Sequence, residues 1–233
     1  MKVIIPAAGM GSRMRPLTEQ KPKCLIDIAG KSFIDRQIEV LHQCGFDDIT
    51  LVGGYKFSMI KEHLKDKVNY AFNPFYETTN SVVSVWLATL NMEDDDILII
   101  NSDVIFDKDL IIEMTKDKTN INVAVSTQWS EERGYKAQIQ NGLIVDMSMD
   151  IEHDKIGGEY AGMIFINKNS MQKLKKQCEI LMEEKKFNIW FEDMVVDLIK
   201  SGTLAKVTEV NPDKWYEIDN VEELEYARNK FGR

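Results

Sequence analysis

Apolar positions along the chain recur in two alternating rhythms. Lys2 to Ala7 is a short apolar run closed by Gly9 and Gly11, the pattern of a buried strand feeding a tight loop. Ser32 with Asp35 three residues on reads as a helix N-cap, and Phe33, Ile34, Ile38 and Leu41 follow at helical spacing until Gly45. Ile49 to Val52 reads as the next strand, Phe57 to Leu64 as a helix, Val68 to Phe72 as a strand and Ser81 to Leu90 as a helix. Ile97 to Ile100 is the sharpest strand, set between the acidic turn Glu93 to Asp96 and the polar Asn101, Ser102 and Asp103. This order predicts an α/β fold with a mostly parallel sheet and helices on both faces. After Ser126 the rhythm loosens. Asn141–Gly142 lies between two short β-like runs within Gln138 to Asp146, which predicts a small antiparallel insertion. Tyr160 to Asn167 then reads as a strand, Lys168 to Lys185 and Phe191 to Lys200 as helices, and Leu204 to Val210 as a strand. Trp215 to Ile218 and a helix from about Val221 close the chain, and without repeat or linker a single domain over residues 1–233 is expected.

The chain has 233 residues, 44% of them hydrophobic and 29% charged, enough for a substantial core and too apolar for disorder. The net charge of −9 argues against broad adhesion to nucleic acid or anionic lipid, so neither a nucleic-acid partner nor membrane insertion is expected. That figure hides a division. Residues 1–36 hold seven Lys or Arg against three Asp or Glu, a local +4, which leaves −13 on the rest of the chain. Cys24, Cys44 and Cys178 are odd in number and lack CxxC spacing, so neither a disulfide framework nor a zinc site is indicated. No secretory leader is evident and no apolar run approaches the ~20 residues of a membrane span; a reduced, cytoplasmic setting is expected. His42, His63 and His153 show no metal-like spacing.

The basic excess surrounds Ala7-Ala8-Gly9-Met10-Gly11-Ser12-Arg13-Met14-Arg15-Pro16, followed by Lys21-Pro22-Lys23. Glycines after a first strand let backbone N–H groups approach phosphate oxygens, and clustered cations neutralise several phosphate charges. A triphosphate fits this pattern; a glycine-rich turn with solvated Arg and Lys is the plainer alternative. Met14 stands where a dinucleotide fingerprint requires its third glycine, Pro16 disfavours the uninterrupted helix that fingerprint opens, and no GxxxxGK[ST] P-loop is present.

The run Ala-Ala-Gly-x-Gly-Ser-Arg-x-x-Pro-Leu-Thr with Lys-Pro-Lys, then Asn101-Ser-Asp103 after a strand and Trp215-Tyr-Glu-Ile-Asp219 before the final helix, resembles the nucleotidyltransferases that join a nucleoside monophosphate to a phosphorylated small molecule. Pro6 replaces the Leu usual before the two alanines. The resemblance implies a Rossmann-like nucleotidyltransferase fold, with a nucleotide-binding part over about 1–126 and an acceptor-binding part over about 127–233. It also implies that the loop holds the nucleotide phosphates and that Arg13 and Lys23 act on the triphosphate. Asp103 lies past the carboxyl end of a strand, where open α/β sheets bind ligands, and Asp219 ends the run Trp215 to Ile218. Brought together, the two carboxylates suit Mg²⁺, a pairing the resemblance supports. Read alone, Asp103 equally suits a turn and Asp219 a helix N-cap.

Asn73-Pro-Phe-Tyr76-Glu-Thr78-Thr79-Asn80-Ser81 departs from the sugar-1-phosphate members and is similar to the choline-phosphate, aminoethylphosphonate and phosphoglutamine cytidylyltransferase subgroup. This implies CTP, a small phosphorylated or phosphonylated amine or amino acid as acceptor, pyrophosphate release and a place in surface glycan or lipid decoration. A sugar-1-phosphate enzyme using UTP, dTTP or GTP is the alternative, and a nucleotide-sensing module a remoter one. Asn80 offers a donor and an acceptor to a pyrimidine edge, Thr79, Ser81 and Ser102 add hydroxyls, and a plain helix cap at Thr79 or Asn80 stays open. Tyr76, Trp86, Trp190 and Trp215 are candidate walls of a cationic pocket, of which one or two are expected to line it while the rest join the core. Glu192, Asp193 and Glu217 are further candidates for the acceptor, though Glu192 and Asp193 equally suit a helix first turn and Glu217 a solvated lysine partner. Gln128 to Glu159 reads as a lid or a subunit contact, which leaves a homodimer open.

Overall fold

The computed structural model describes residues 1–129 and 134–231. Lys2–Ala7 forms β1, and a two-stranded ribbon of β2 (Asp27–Ile28) and β3 (Lys31–Ser32) leads into α1 (Phe33–Gln43). There follow β4 (Ile49–Gly53), α2 (Phe57–Leu64), β5 (Asn69–Phe72), α3 (Ser81–Thr89), β6 (Ile97–Ile100), β7 (Val104–Ile105), α4 (Lys108–Lys116) and β8 (Ile121–Ser126). The chain continues through β9 (Lys136–Gln140), β10 (Leu143–Ser148), β11 (Gly158–Ile166), α5 (Lys168–Glu183), α6 (Phe191–Lys200), β12 (Ala205–Glu209), β13 (Tyr216–Glu217) and α7 (Val221–Phe231). The Ser32 cap is made as expected, its hydroxyl oxygen accepting from the Asp35 N–H at 3.2 Å.

One nine-stranded sheet runs through the chain in the order β5-β4-β1-β6-β11-β8-β12-β10-β9. The strands β5, β4, β1 and β6 are parallel, as expected. Beyond β6 the sheet is mixed: β11 lies antiparallel between β6 and β8, β12 is parallel to β8, and the β9–β10 hairpin closes that edge with an antiparallel contact to β11. Antiparallel pairing therefore extends beyond the insertion announced by Asn141–Gly142. Of the stretch Gln128 to Glu159, residues 130–133 lie outside the described residues, and the rest is largely that hairpin.

Burial on both faces explains the unbroken apolar strands. In β6, Ile97 and Ile99 face a core shared with α3, α5 and α6, while Leu98 and Ile100 face one shared with α1, α2 and α4. Each such side chain contributes about 1.5–3 kcal/mol on burial. From β1 the chain winds outward through β4 to β5, then crosses back by α3 to place β6 on the other side of β1. The strand order reverses between β1 and β6, and the crevice beyond their carboxyl ends is where such sheets bind ligands. A third apolar cluster, including Met14, Ile28, Phe33, Ile218 and Leu224, ties the glycine loop to α7.

Candidate active site

The loop after β1 turns back at Gly11, whose φ of 60° suits glycine. A Cβ there would sit 3.0 Å from Lys23 Cβ and 3.1 Å from a Thr18 methyl, so glycine also lets the loop close against Lys23. Thr18 Oγ1 holds that closure by donating to the Gly11 carbonyl at 2.8 Å. Arg13 and Lys23 thereby face the end of β6.

Asp103 and Asp219, 116 positions apart, are brought together by a feature too short to carry a hydrophobic pattern. The two-residue strands β7 and β13 pair antiparallel, Glu217 opposite Val104 and Tyr216 opposite Ile105, and the Ile218 N–H donates to the Asp103 carbonyl at 3.1 Å. At the start of α7 it is Asn220, not Asp219, that caps: its side chain accepts from the Glu223 N–H at 2.9 Å. The Asp219 carboxylate is left to the cleft. Lys23 Nζ donates to Asp103 Oδ2 at 2.7 Å and to Asp219 Oδ1 at 2.9 Å, and Arg13 forks onto both Asp219 oxygens at 2.9 Å. Burial alone would lower the Lys23 ammonium, but Asp103 and Asp219 outweigh it and hold its pKa above the ordinary value.

Glu217 completes the cluster, with one oxygen from each of Asp103, Glu217 and Asp219 within 4.8 Å of one another. Burial pushes the Glu217 carboxyl well up, and the two aspartates push it further. Three carboxylates face two cations here, and Asp103 Oδ1 is buried with no hydrogen-bond partner. An all-oxygen set with a buried, unshared lone pair, in which a cation would also offset the crowding of the three carboxyls, fits a hard divalent ion.

A cavity of about 250 Å³ opens beside the cluster. Ala7, Ala8, Gly9 and Gly11 form one wall; Tyr76, Thr79, Asn80 and Ser81 another; Ser102 and Asp103 lie at the end of β6; Trp190 and Glu192 close the far side.

The chain matches the MobA-like NTP transferase domain over residues 3–179. It belongs to that family. Over its whole length this nucleotidyltransferase is similar to the CTP:phosphoglutamine cytidylyltransferase of Campylobacter jejuni, at 28% identity over 99% of this chain and 100% of that one. It is 29% identical to the choline-phosphate cytidylyltransferase of Streptococcus pneumoniae over 96% of this chain and 95% of the relative. The solved structure of the CTP:phosphocholine cytidylyltransferase from Streptococcus pneumoniae superposes with a TM-score of 0.80 at 26% identity, covering 99% of this chain and 98% of that one.

Within the nucleotidyltransferase cleft, several sequence candidates divide between cavity and scaffold. Met10 and Ser12 are not among the lining residues; Ser12 opens the short turn that carries Arg13. Asn80 does cap α3, its side-chain oxygen accepting from the Ser81 N–H at 3.0 Å, while still lining the cavity. The Ser81 hydroxyl oxygen accepts from the Phe191 N–H at 2.9 Å, tying α3 to α6, and Thr79 Oγ1 donates to the Phe75 carbonyl at 2.9 Å. The adjacent Glu192 and Asp193 part company. Asp193 accepts from the Trp190 N–H at 3.1 Å and from the Tyr135 hydroxyl at 2.8 Å, a cap and a brace outside the cavity lining. Glu192 is only 4% exposed and lines the cavity, its pKa raised to about 8 by burial and by the neighbouring Asp193 and Asp103. Trp86 packs against the core, and Trp215 does likewise while its indole N–H donates to the Ala161 carbonyl at 2.9 Å.

Sequence reasoning missed three contributors. Asn73 is buried and donates to Thr79 Oγ1 and Ser84 Oγ, each at 3.2 Å, while its oxygen accepts from the Phe75 N–H at 3.0 Å. Its Asn-Pro start was the available signal. Gln37 on α1 donates to the carbonyls of Asn101 at 2.8 Å and Val104 at 2.9 Å, bracing the segment that carries Asp103. Tyr160 reads from the pattern only as the start of a strand; because β11 runs against β6, that start extends past the carboxyl end of β6, with Tyr160 itself just outside the cavity lining. Among the described residues no helix is long and apolar enough to cross a membrane.

Proposed function

We propose that the protein is a Mg²⁺-dependent cytidylyltransferase that moves CMP from CTP to the phosphate or phosphonate of a small amino compound and releases pyrophosphate. The observation that carries this reading is the convergence of Lys23, Arg13, Asp103 and Asp219 at the reversal point of the strand order. CTP and the amino acceptor follow from the relatives, which act on phosphoglutamine and choline phosphate. A role in decorating surface glycans or lipids, in the cytoplasm, belongs to the same reading.

Asp103 and Asp219, with Glu217 beside them, would hold Mg²⁺, and the bound ion supplies neutralisation of phosphate charge. The attacking phosphate oxygen is already ionised near neutral pH, so no side chain has to remove a proton. That oxygen bonds to the α-phosphorus as the bond from the α-phosphorus to the bridging oxygen breaks, and the electron pair leaves on pyrophosphate. Alignment and charge compensation supply the rate. Lys23 offsets charge growing on the α-phosphate and Arg13 steadies the departing pyrophosphate. The loop Ala7 to Gly11 offers backbone to the phosphates, and Thr79, Asn80, Ser81 and Ser102 face the nucleoside. Residues up to about 126 receive CTP and the rest of the chain completes the acceptor side.

The test is pyrophosphate release over the four nucleoside triphosphates, each with glucose 1-phosphate, phosphocholine, aminoethylphosphonate and phosphorylated amino acids. Release with CTP and an amino acceptor is expected. Release confined to UTP, dTTP or GTP with the sugar phosphate overturns the reading, as does CTP binding without release for any acceptor.

A further inference from the structure

Buried polar atoms almost always find a partner, so those that do not indicate what a ligand must bring. Among the described residues the buried side-chain atoms without a hydrogen-bond partner are Gln37 Oε1, Asp103 Oδ1, Glu192 Oε2 and Tyr160 Oη. Gln37 is spent on backbone carbonyls and Asp103 belongs to the carboxylate cluster. Glu192 Oε2 and the Tyr160 hydroxyl remain. They come from different elements, α6 and β11: Glu192 lines the cavity, and Tyr160 lies just outside its lining. Phe191 packs edge-on against the Tyr160 ring with centroids 6.4 Å apart, and burial together with the nearby Glu192 carboxylate pushes the Tyr160 phenol well up.

One residue frames both. The Tyr135 carbonyl accepts from the Tyr160 N–H at 2.8 Å, and the Tyr135 hydroxyl donates at 2.8 Å to Asp193, which in turn accepts from the Trp190 N–H. Tyr160 and Glu192 are 6% and 4% exposed, so bulk water does not satisfy them.

We propose that Glu192 and Tyr160 form a recess that selects acceptors whose cationic nitrogen carries N–H bonds, a primary ammonium, over the same acceptors with a fully methylated nitrogen. The proposal rests on the reading of the acceptor as a small phosphorylated or phosphonylated amine. A primary ammonium offers three donors to the unpaired oxygens; a trimethylammonium offers none and leaves both buried atoms unsatisfied. Burial raises the Glu192 carboxyl to about 8, and an adjacent cation offsets that cost to its ionised form. A quaternary nitrogen is instead held by aromatic faces. The aromatic side chains among the described lining residues are Tyr76, whose Cβ would crowd a side chain at Gly54 beside Ala8 on the nucleotide side, and Trp190, 42% exposed. Tyr160 is offered here through its hydroxyl, and its ring is already packed against Phe191.

The experiment compares CMP transfer from CTP to phosphoethanolamine and to its mono-, di- and trimethylated forms, the last being phosphocholine, with glucose 1-phosphate run under all four nucleoside triphosphates. The expected kcat/KM falls with each methyl group and ends about tenfold or more below phosphoethanolamine, mainly through acceptor KM, since sites built to hydrogen-bond reject analogues that cannot. Tyr160→Phe is expected to bring the two end members within about threefold by raising KM for phosphoethanolamine. A purely structural role would lower both alike. Glu192→Gln, read by the same ratio, decides the matter if Tyr160→Phe does not fold. Phosphocholine used as well as or better than phosphoethanolamine overturns the recess and leaves the cytidylyltransferase reading standing, as does an unchanged ratio in both variants. Turnover of glucose 1-phosphate alone overturns both, and turnover of none of the phosphoethanolamine series overturns the recess while the wider acceptor screen judges the cytidylyltransferase reading.

Discussion

The two sides of the cleft solve opposite problems. On the nucleotide side, strands β4, β1 and β6 end at the site, and the polar groups there are already engaged with one another: Asn73 with Thr79 and Ser84, Asn80 with the Ser81 N–H, Lys23 with two aspartates. On the far side, β11 presents its beginning instead of its end, and Glu192 and Tyr160 keep buried oxygens without partners. The first arrangement holds its loops and donors beforehand, and for a triphosphate only the contacts of Lys23 and Arg13 with the two aspartates have to be exchanged. The second stores its polar groups unsatisfied, which makes it selective in proportion to how well a ligand repairs them. Mutually satisfied polar groups thus sit on the parallel half of the sheet, and the unsatisfied Glu192 and Tyr160 oxygens where the strand direction reverses.

The carboxylates at the junction of the two sides test the contrast most severely. Asp103→Ala or Asp219→Ala is expected to lower kcat by about 10²–10³-fold or more, the range for loss of one preorganised electrostatic element, with thermal unfolding close to that of the parent. Retention of half the activity by either variant would remove the metal-holding role. Lys23→Ala follows, at about 10²-fold in kcat with a smaller change in KM for CTP; an effect confined to KM would mean that Lys23 binds ground and transition states equally.

Effects on the prearranged side itself are expected in stability. Asn73→Ala leaves Thr79, Ser84 and the Phe75 N–H short of a partner, so about 1–3 kcal/mol should be lost, lowering the Tm by several degrees in a chain of this size. A Tm unchanged within 1 °C, a threshold of about a few tenths of a kcal/mol, would show that the loop does not depend on that network. The smallest change should come from Trp190→Ala, a half-exposed wall of the acceptor side, at about two- to fivefold in acceptor KM and none in KM for CTP, consistent with a contact of about 0.5–1 kcal/mol. If CTP binding suffers instead, Trp190 belongs to the nucleotide side and the division shifts.

What could be read in advance follows the range of the interactions. The glycine loop, the Ser32 cap and the Ile97 to Ile100 strand rest on neighbours a few residues apart, and all stand where the pattern put them. Strand β8 and helix α4 escaped notice although local. Glu192 and Asp193 sit side by side in sequence, yet about 100° apart around a helix, and only the docking of α6 decides which one enters the cavity.

The sequence by itself determined the chemistry available to this protein: a basic, glycine-rich loop after the first strand, two isolated aspartates and an α/β frame, because these depend on residue type and short-range geometry. Only the tertiary structure decided how they meet. A pairing of two-residue strands sets Asp219 against Asp103, Asn220 rather than Asp219 takes the helix cap, and the reversed course of β11 carries Tyr160 past the end of β6. Strand direction and pairing across a hundred residues are chosen by the packing of the whole sheet, and a short segment carries no periodicity from which to infer them.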